Sequence, residues 1–145
     1  MLSQYLKGNI NFLDEVSSWE ESIKVAAKPL LKKGFITDKY IQSMIKNVYD
    51  NGPYMVIVPR IAMPHAQDKE GVIKTGISFL KLKKPVLYPE GKEVNISVVL
   101  AAEDNSGHLE LIADLSSILA DEEVRNKFEN VESEEELIKI IKTVE

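Results

Sequence analysis

Two histidines are the side chains of this sequence best suited to nucleophilic chemistry near neutral pH. His65 follows Pro64 in a tight segment, and His108 falls where the pattern predicts the first turn of a helix. Neutral imidazole is a competent nitrogen nucleophile because its unperturbed pKa is about 6.5. The chain has no cysteine, which excludes a thiolate nucleophile, a disulfide and a zinc–thiolate site.

The expected position of His108 has electrostatic consequences. A helix N-terminus presents unpaired N–H groups and about half a positive charge, which attracts anions and disfavours an imidazolium. If His65 received a phosphoryl group, a second imidazole and such a terminus could stabilise its equatorial oxygens without a metal. Ser106 and Gly107, as cap and first residue of the helix, could also direct N–H groups at phosphate. Plain helix capping explains these two residues equally well.

A metal site is the weaker alternative. There is no third histidine, so a carboxylate such as Asp104 would have to complete a set begun by His65 and His108, and the acidic residues show no ligand spacing. We therefore expect neither a metal nor a cofactor. Spacing alone leaves open whether the two histidines form a functional pair or are merely structural.

Composition indicates one ordinary globular domain over residues 1–145. Hydrophobic residues make up 44% of the chain and charged residues 28%. The net charge of -5 argues against a nucleic-acid binder, which usually has a basic face. The first residues lack a signal-peptide pattern, and no apolar run approaches the roughly 20 residues that span a bilayer. We expect a cytoplasmic protein without direct membrane insertion.

The elements that must position the histidines can be read from capping and apolar patterns. Ser18 and Thr37 should cap two amphipathic helices; Pro29 should kink or break the first, and Gly34 should end it. After the last strand, the pattern predicts a helix capped by Asn105 or Ser106, a short helix over residues 121–128, and a final helix capped by Ser133.

Strand signals lie between these helices. A short strand is expected near Ile10, and others over residues 54–58, 74–82 and 94–102, the last apolar enough to be central and buried on both faces. The segment PRIAMPHAQ, which contains His65, carries two prolines and cannot be a central strand or helix throughout. The predicted fold class is α/β, a single domain with a mixed β-sheet flanked by α-helices.

The two histidine segments resemble those of a known family. The segment IAMPHAQDKEGVIKTGISFLKL is similar to the phosphohistidine segment of the mannitol- and fructose-type IIA domains of the bacterial sugar phosphotransferase system (PTS). The segment DNSGHLELIADLSSILAD resembles their second histidine segment. The resemblance runs from about Trp19 onward, is nearest the ascorbate-type branch, and implies the mannitol/fructose-type IIA fold.

The resemblance implies a phosphocarrier. His65 would accept a phosphoryl group from the phosphohistidine of the carrier protein HPr and pass it to a cysteine of a IIB protein or domain, which serves a membrane-embedded IIC transporter. His108 would contact the phosphoryl group without carrying it. Two alternatives keep the fold: a regulatory module in which phosphorylated His65 reports sugar status, and a binding protein that has lost phosphorylation.

The sequence departs from the family near the active histidine. Gln67 stands where many members carry Arg or Gly. The mannitol branch has an upstream arginine near the place of Lys46 or Asn47, neither of which makes the bidentate fork of arginine on phosphate, so a mannitol substrate is not expected. Arg60 is better interpreted as a solvated loop cation than as a phosphate ligand. Ile61 or Met63 could contribute to a docking surface.

Overall fold

The computed structural model describes residues 2–67 and 69–145. In those residues the helices are α1 (Leu2–Leu6), α2 (Trp19–Lys32), α3 (Asp38–Asn51), α4 (Asn105–Ala120), α5 (Glu122–Glu129) and α6 (Glu134–Val144). The strands are β1 (Ile10–Leu13), β2 (Val56–Val58), β3 (Arg60–Ala62), β4 (Gly76–Tyr88) and β5 (Lys92–Ala101). A single 3-10 turn, Pro89–Gly91, joins β4 to β5.

The five strands form one mixed sheet in the order β1-β4-β5-β3-β2. β5 pairs antiparallel with β4 and parallel with β3, while β1 runs parallel to β4 and β2 antiparallel to β3. The predicted α/β class with a mixed sheet is thus confirmed, as is the central, buried position of the last strand. Because β3 and β5 are parallel neighbours, their carboxyl ends lie at the same edge of the sheet.

Helices cover both faces of the sheet. Successive side chains of β5 point to opposite faces, so β5 contributes to a core on each side. Val99 and Ala101 pack in a core with α2 and α3. Val98 and Leu100 pack in the opposite core with residues of α1, α4, α5 and α6. Every apolar side chain of the second half of β5 is therefore buried, which explains its unbroken apolar sequence.

β5 has an irregularity at Asn95. Arg60 pairs with Val94, whereas the next residue of β3 pairs with Ile96, so Asn95 is an extra residue in β5. Val94 belongs to the core beneath α2 and α3, and Ile96 belongs to the opposite one. The Asn95 side chain accepts a hydrogen bond from Arg60 Nη1 (3.2 Å) and donates one to the carbonyl of Leu82 (3.2 Å). One side chain thus joins β3, β5 and β4.

The predicted caps of α2 and α6 are confirmed. Ser18 Oγ accepts from the N–H of Glu21, and Ser133 Oγ accepts from that of Glu136. Thr37 is the N-cap of α3 as predicted, but its hydroxyl makes no capping bond. Gly34, with φ of 75°, follows the end of α2 as expected.

Some sequence predictions were wrong in detail. Pro29 does not break α2, which continues to Lys32, because a proline near the last turn costs only one intrahelical hydrogen bond. The cap of α4 is Asp104 rather than Asn105 or Ser106, since its charged carboxylate accepts the N–H of Gly107 at 2.6 Å. β4 also runs well past the predicted end at residue 82.

Candidate functional site

His65 lies in the segment that leaves β3. After β3 ends, the chain continues beside β5, and the N–H of Leu100 donates to the carbonyl of Pro64 (3.0 Å). His65 is only 9% exposed, so the segments around it largely enclose the ring.

One ring nitrogen of His65 is bound by the chain itself. Nδ1 lies 2.6 Å from the carbonyl oxygen of Met63. A carbonyl oxygen can only accept a hydrogen bond. Nδ1 therefore carries the proton and donates a hydrogen bond to the carbonyl of Met63. The neutral ring then has its lone pair on Nε2, which is the nucleophilic atom that this arrangement provides.

Helix α3 holds the backbone around His65. The hydroxyl of Tyr40 accepts the N–H of Ala66 (3.2 Å) and donates to the carbonyl of Leu100 (2.6 Å). Asn47, two helical turns further on, donates from Nδ2 to the carbonyl of His65 (3.2 Å). The carbonyl and the N–H of the peptide that joins His65 to Ala66 are therefore both satisfied by side chains of α3.

His108 lies beside His65 but belongs to the segment that follows β5. It lies in the first turn of α4, directly after β5, and its ring centroid is 5.4 Å from that of His65 with an interplanar angle of 53°. Burial lowers the pKa of His108, and the positive charge of Lys69 and the proximity of His65 lower it further. The ring is thereby biased toward its neutral form, which can donate one hydrogen bond and accept another.

The other two candidate phosphate ligands are placed differently. Ser106 is exposed in the first turn of α4. The N–H of Gly107 already donates to the carboxylate of Asp104, so it could bind phosphate only by releasing that cap. The roles of Ser106 and Gly107 in binding phosphate both stay predictions.

Two residues of the site could not be identified from the sequence. Tyr40 looked like part of the apolar face of α3, and nothing marked its hydroxyl. Tyr54 faces His65 edge-on at a centroid distance of 6.0 Å, and Asn47 Nδ2 donates to its hydroxyl (2.7 Å). The sequence places Lys46 or Asn47 near the position of the mannitol-branch arginine but assigns neither of them a contact with His65.

The docking residues suggested by the sequence are not available. Ile61, in the inner strand β3, is 0% exposed and Met63, just after it, is 3% exposed, because both pack in the core with α4, α5 and α6. Two exposed apolar residues beside the histidines are instead Tyr54, whose ring contacts His65, and Leu109, which is adjacent to His108 in the chain. Arg60 is exposed, as expected for a solvated cation, but it is the first residue of β3 and not a loop residue, and it donates to Asn95.

Two broader features bear on the kind of site. Among residues 2–67 and 69–145, no group of three or more His, Asp or Glu side chains is placed to hold a metal ion. Within the same residues, no helix has the length and apolar character needed to cross a bilayer.

The mixed sheet brings two imidazoles together beyond the carboxyl ends of two parallel strands, and no hydrogen bond to Nε2 of His65 is found among residues 2–67 and 69–145. Such a pair suits a phosphocarrier. The chain belongs to the family described as "Phosphoenolpyruvate-dependent sugar phosphotransferase system, EIIA 2", which its sequence matches over residues 4–144. It is thus a IIA component of a sugar phosphotransferase system, a phosphotransferase by class.

Relatives of known name agree with this assignment. The "Mannitol-specific cryptic phosphotransferase enzyme IIA component" of Escherichia coli (strain K12) is 34% identical over 142 residues, covering 97% of each chain. The "Ascorbate-specific PTS system EIIA component" of the same strain is 32% identical over 136 residues, covering 92% of this chain and 88% of that protein. Both the mannitol-type and the ascorbate-type branches are thus similar to this chain.

A solved complex is similar in fold. It contains enzyme IIA for mannitol bound to phosphorylated enzyme IIB, from Escherichia coli. Its matching chain has a TM-score of 0.80 and 26% identity, with 94% of this chain and 95% of that chain covered. That IIA protein therefore meets a phosphorylated IIB partner on the same fold.

Proposed function

We propose that His65 accepts a phosphoryl group from the phosphohistidine of HPr and passes it to a cysteine of a IIB protein or domain, for coupled uptake and phosphorylation of a sugar by IIC. The observation that carries this proposal is the binding of His65 Nδ1 to the carbonyl of Met63, which leaves Nε2 as nucleophile 5.4 Å, ring to ring, from a second imidazole. The family assignment supports the phosphocarrier role as a whole.

Each transfer is a balanced exchange at phosphorus. The Nε2 lone pair of His65 attacks phosphorus in line while the P–N bond to the HPr histidine breaks and its electron pair returns to that nitrogen. In the second transfer the IIB thiolate attacks, and the Nε2–P bond of His65 breaks. Nδ1 keeps its proton and the Met63 hydrogen bond throughout, so the ring is held in one orientation for both steps.

His108 is the group proposed to stabilise the transferred phosphoryl. Burial, Lys69 and His65 lower its pKa in the unphosphorylated protein, which favours the neutral ring before transfer. A neutral imidazole that donates one hydrogen bond to an equatorial oxygen favours the transition state, where those oxygens carry the charge. The exposed N-terminal turn of α4, including Ser106, would add partial positive charge on the same side.

The partners would dock around the histidines from the cytoplasm. Exposed Tyr54 and Leu109 give this side apolar contacts, and the acidic net charge of -5 assists encounter with basic surfaces. The sugar is recognised by the membrane component. Relatives that are named for different sugars can therefore share the same kind of phosphoryl-transfer site.

The test is intact-mass spectrometry at neutral to basic pH after incubation with phosphoenolpyruvate, enzyme I and HPr. We expect one acid-labile phosphoryl mass on the wild-type protein, none on His65→Ala, and labelling retained on His108→Ala. Absence of label, with phosphorylated HPr present, would contradict the proposal. Label on His65→Ala but not on His108→Ala would reverse the two roles.

Addition of a IIB protein completes the test. Transfer of the label to the IIB cysteine supports the transport role. Label that forms but stays on His65 in the presence of a competent IIB would instead favour the regulatory module.

A further inference from the structure

One buried hydroxyl connects both segments that carry the histidines. Tyr40 is 1% exposed, and its oxygen accepts the N–H of Ala66, the residue after His65. The same hydroxyl donates to the carbonyl of Leu100, near the end of the strand that leads into α4 and His108. The segment after β3 is thus tied to β5 through a side chain as well as through the backbone bond between Leu100 and Pro64.

The start of α3 is itself fixed against the loop that follows His65. The N–H of Thr37 donates to the carbonyl of Gly71 (2.8 Å). Gly71 adopts φ of +93°, and a Cβ there would lie 2.7 Å from the backbone nitrogen of Tyr40. The loop and the helix are packed backbone to backbone, so Tyr40 has little freedom to move independently of the site.

The hydroxyl keeps both hydrogen bonds at any pH of interest. Burial raises the pKa of Tyr40 to about 12, so the group remains a neutral donor and acceptor. It does not touch solvent, so it is not a candidate to contact a partner protein or the phosphoryl group. Any effect on transfer must therefore act through Ala66, Leu100 and the spacing of the two imidazoles.

We propose that Tyr40 is a positioning residue for phosphoryl transfer, whose hydroxyl fixes the segment of His65 against β5 and so sets the separation of the two imidazoles. This inference rests on the function proposed above. Loss of the hydroxyl frees the Ala66 N–H and the Leu100 carbonyl while the ring still fills the core. A misplacement of the nucleophile by about 1 Å can slow a reaction on the order of 100-fold.

The test compares Tyr40→Phe with Tyr88→Phe. Tyr88 is equally buried, and its hydroxyl lies near the side chains of Ser22 and Ser97 rather than bonding Ala66 and Leu100, so Tyr88→Phe removes the same atom without that connection. The rate of phosphorylation of each variant is measured against HPr concentration by rapid quench, and onward transfer to IIB is measured in the same way.

We expect Tyr40→Phe to lower the rate at saturating HPr by about 10-fold or more, with the half-saturating concentration unchanged because no partner contact is lost. Tyr88→Phe should stay within about twofold of wild type. The ring ¹⁵N resonances of His65 should shift in Tyr40→Phe and not in Tyr88→Phe. Wild-type rates in Tyr40→Phe, an equal loss in both variants, or a change only in half-saturation would overturn the inference.

Hydrogen exchange covers the case in which Tyr40→Phe fails to fold. In the wild-type protein the Ala66 amide should exchange slowly, because it is bound to a buried oxygen. Exchange at the rate of an unprotected amide would refute the connection. If the wild-type protein takes no label at all, the proposed phosphocarrier function is refuted. If the wild-type protein is labelled and Tyr40→Phe is labelled at the same rate, only the role of Tyr40 is refuted.

Discussion

The imidazole of His65 is held by a residue two positions earlier in its own chain, since Nδ1 lies 2.6 Å from the carbonyl oxygen of Met63. This contact fixes which nitrogen can react. It is made by backbone, so no substitution of the Met63 side chain removes it directly.

The first prediction concerns the tautomer of His65. Long-range ¹H–¹⁵N spectra of the unphosphorylated protein near pH 8 should show the proton on Nδ1, and spectra of the phosphorylated protein should show phosphorus on Nε2. The physical reason is that a carbonyl accepts and cannot donate. A proton on Nε2 in the free protein, or phosphorus on Nδ1, would contradict the site geometry.

The second prediction concerns the charge of His108. Its pKa should lie below the ordinary value of 6.5, because burial, Lys69 and His65 all disfavour the imidazolium. Lys69→Gln should raise that pKa, since it removes a nearby positive charge. Phosphorylation of His65 should raise it as well, since the added negative charge favours the protonated ring.

The measurement is an NMR pH titration of the His108 ring proton. Lys74→Gln is the control, because that exposed lysine lies over the ring of Phe35 and is not among the charges that act on His108. An unchanged His108 pKa in Lys69→Gln, or a fall on phosphorylation, would show that the electrostatics are misassigned.

The third prediction separates carrying the phosphoryl group from stabilising it. His108→Ala should still be labelled on His65 but should transfer about 100-fold more slowly, the usual effect of removing one donor to a developing oxyanion. Rapid-quench rates for both transfers provide the check. His108→Gln, which keeps a donor, should lose less; equal losses in the two variants would argue against a hydrogen-bonding role.

The fourth prediction concerns Asn47. Asn47→Ala removes the donor to the carbonyl of His65 and to the hydroxyl of Tyr54. The free energy of unfolding should fall by about 1 kcal/mol, chiefly from the lost bond to the partly buried carbonyl of His65, because the bond to the Tyr54 hydroxyl is exposed to water. Urea denaturation measures this, with Gln42→Ala, an exposed position of the same helix, as the control. Equal stabilities of the two variants would count against a structural role for Asn47.

The fifth prediction concerns the glycine packed on α3. Gly71→Ala should lower the free energy of unfolding by about 2 kcal/mol or more, because φ of +93° is combined with a Cβ 2.7 Å from the Tyr40 nitrogen. Gly91→Ala is the matched control, since φ is +73° but nothing lies within 4 Å of its Cβ. If urea denaturation gives the two variants equal losses, the close contact with α3 has no energetic weight.

Local signals predicted much of this fold. The serine caps of α2 and α6 and the apolar run of β5 have physical causes within a few residues, and each is confirmed. Helix α1 was missed because it has only five residues, too few to be stable alone, and depends on burial of Leu2 and Leu6. The cap of α4 was misplaced by one residue, since three adjacent polar residues are all competent caps.

The site was predictable only in part. The residue types and the family resemblance singled out His65 and His108, but their proximity depends on β3 lying parallel beside β5, which no local pattern encodes. For the same reason Tyr40 was assigned only to an apolar face, and Ile61 was expected near the surface although it is buried. Long-range pairing decides such cases, and its information is spread over the whole chain.

The extra residue at Asn95 determines the face of the sheet to which each later side chain of β5 points. Side chains alternate along a strand, so a deletion of Asn95 would turn Ile96, Val98 and Leu100 toward the helices they now face away from. The same deletion would change the direction in which the chain leaves β5 for α4, and it would move His108 away from the sheet edge at which His65 lies. One extra residue in β5, remote from the two histidines, thus determines which face of the sheet each later side chain occupies and where His108 is placed.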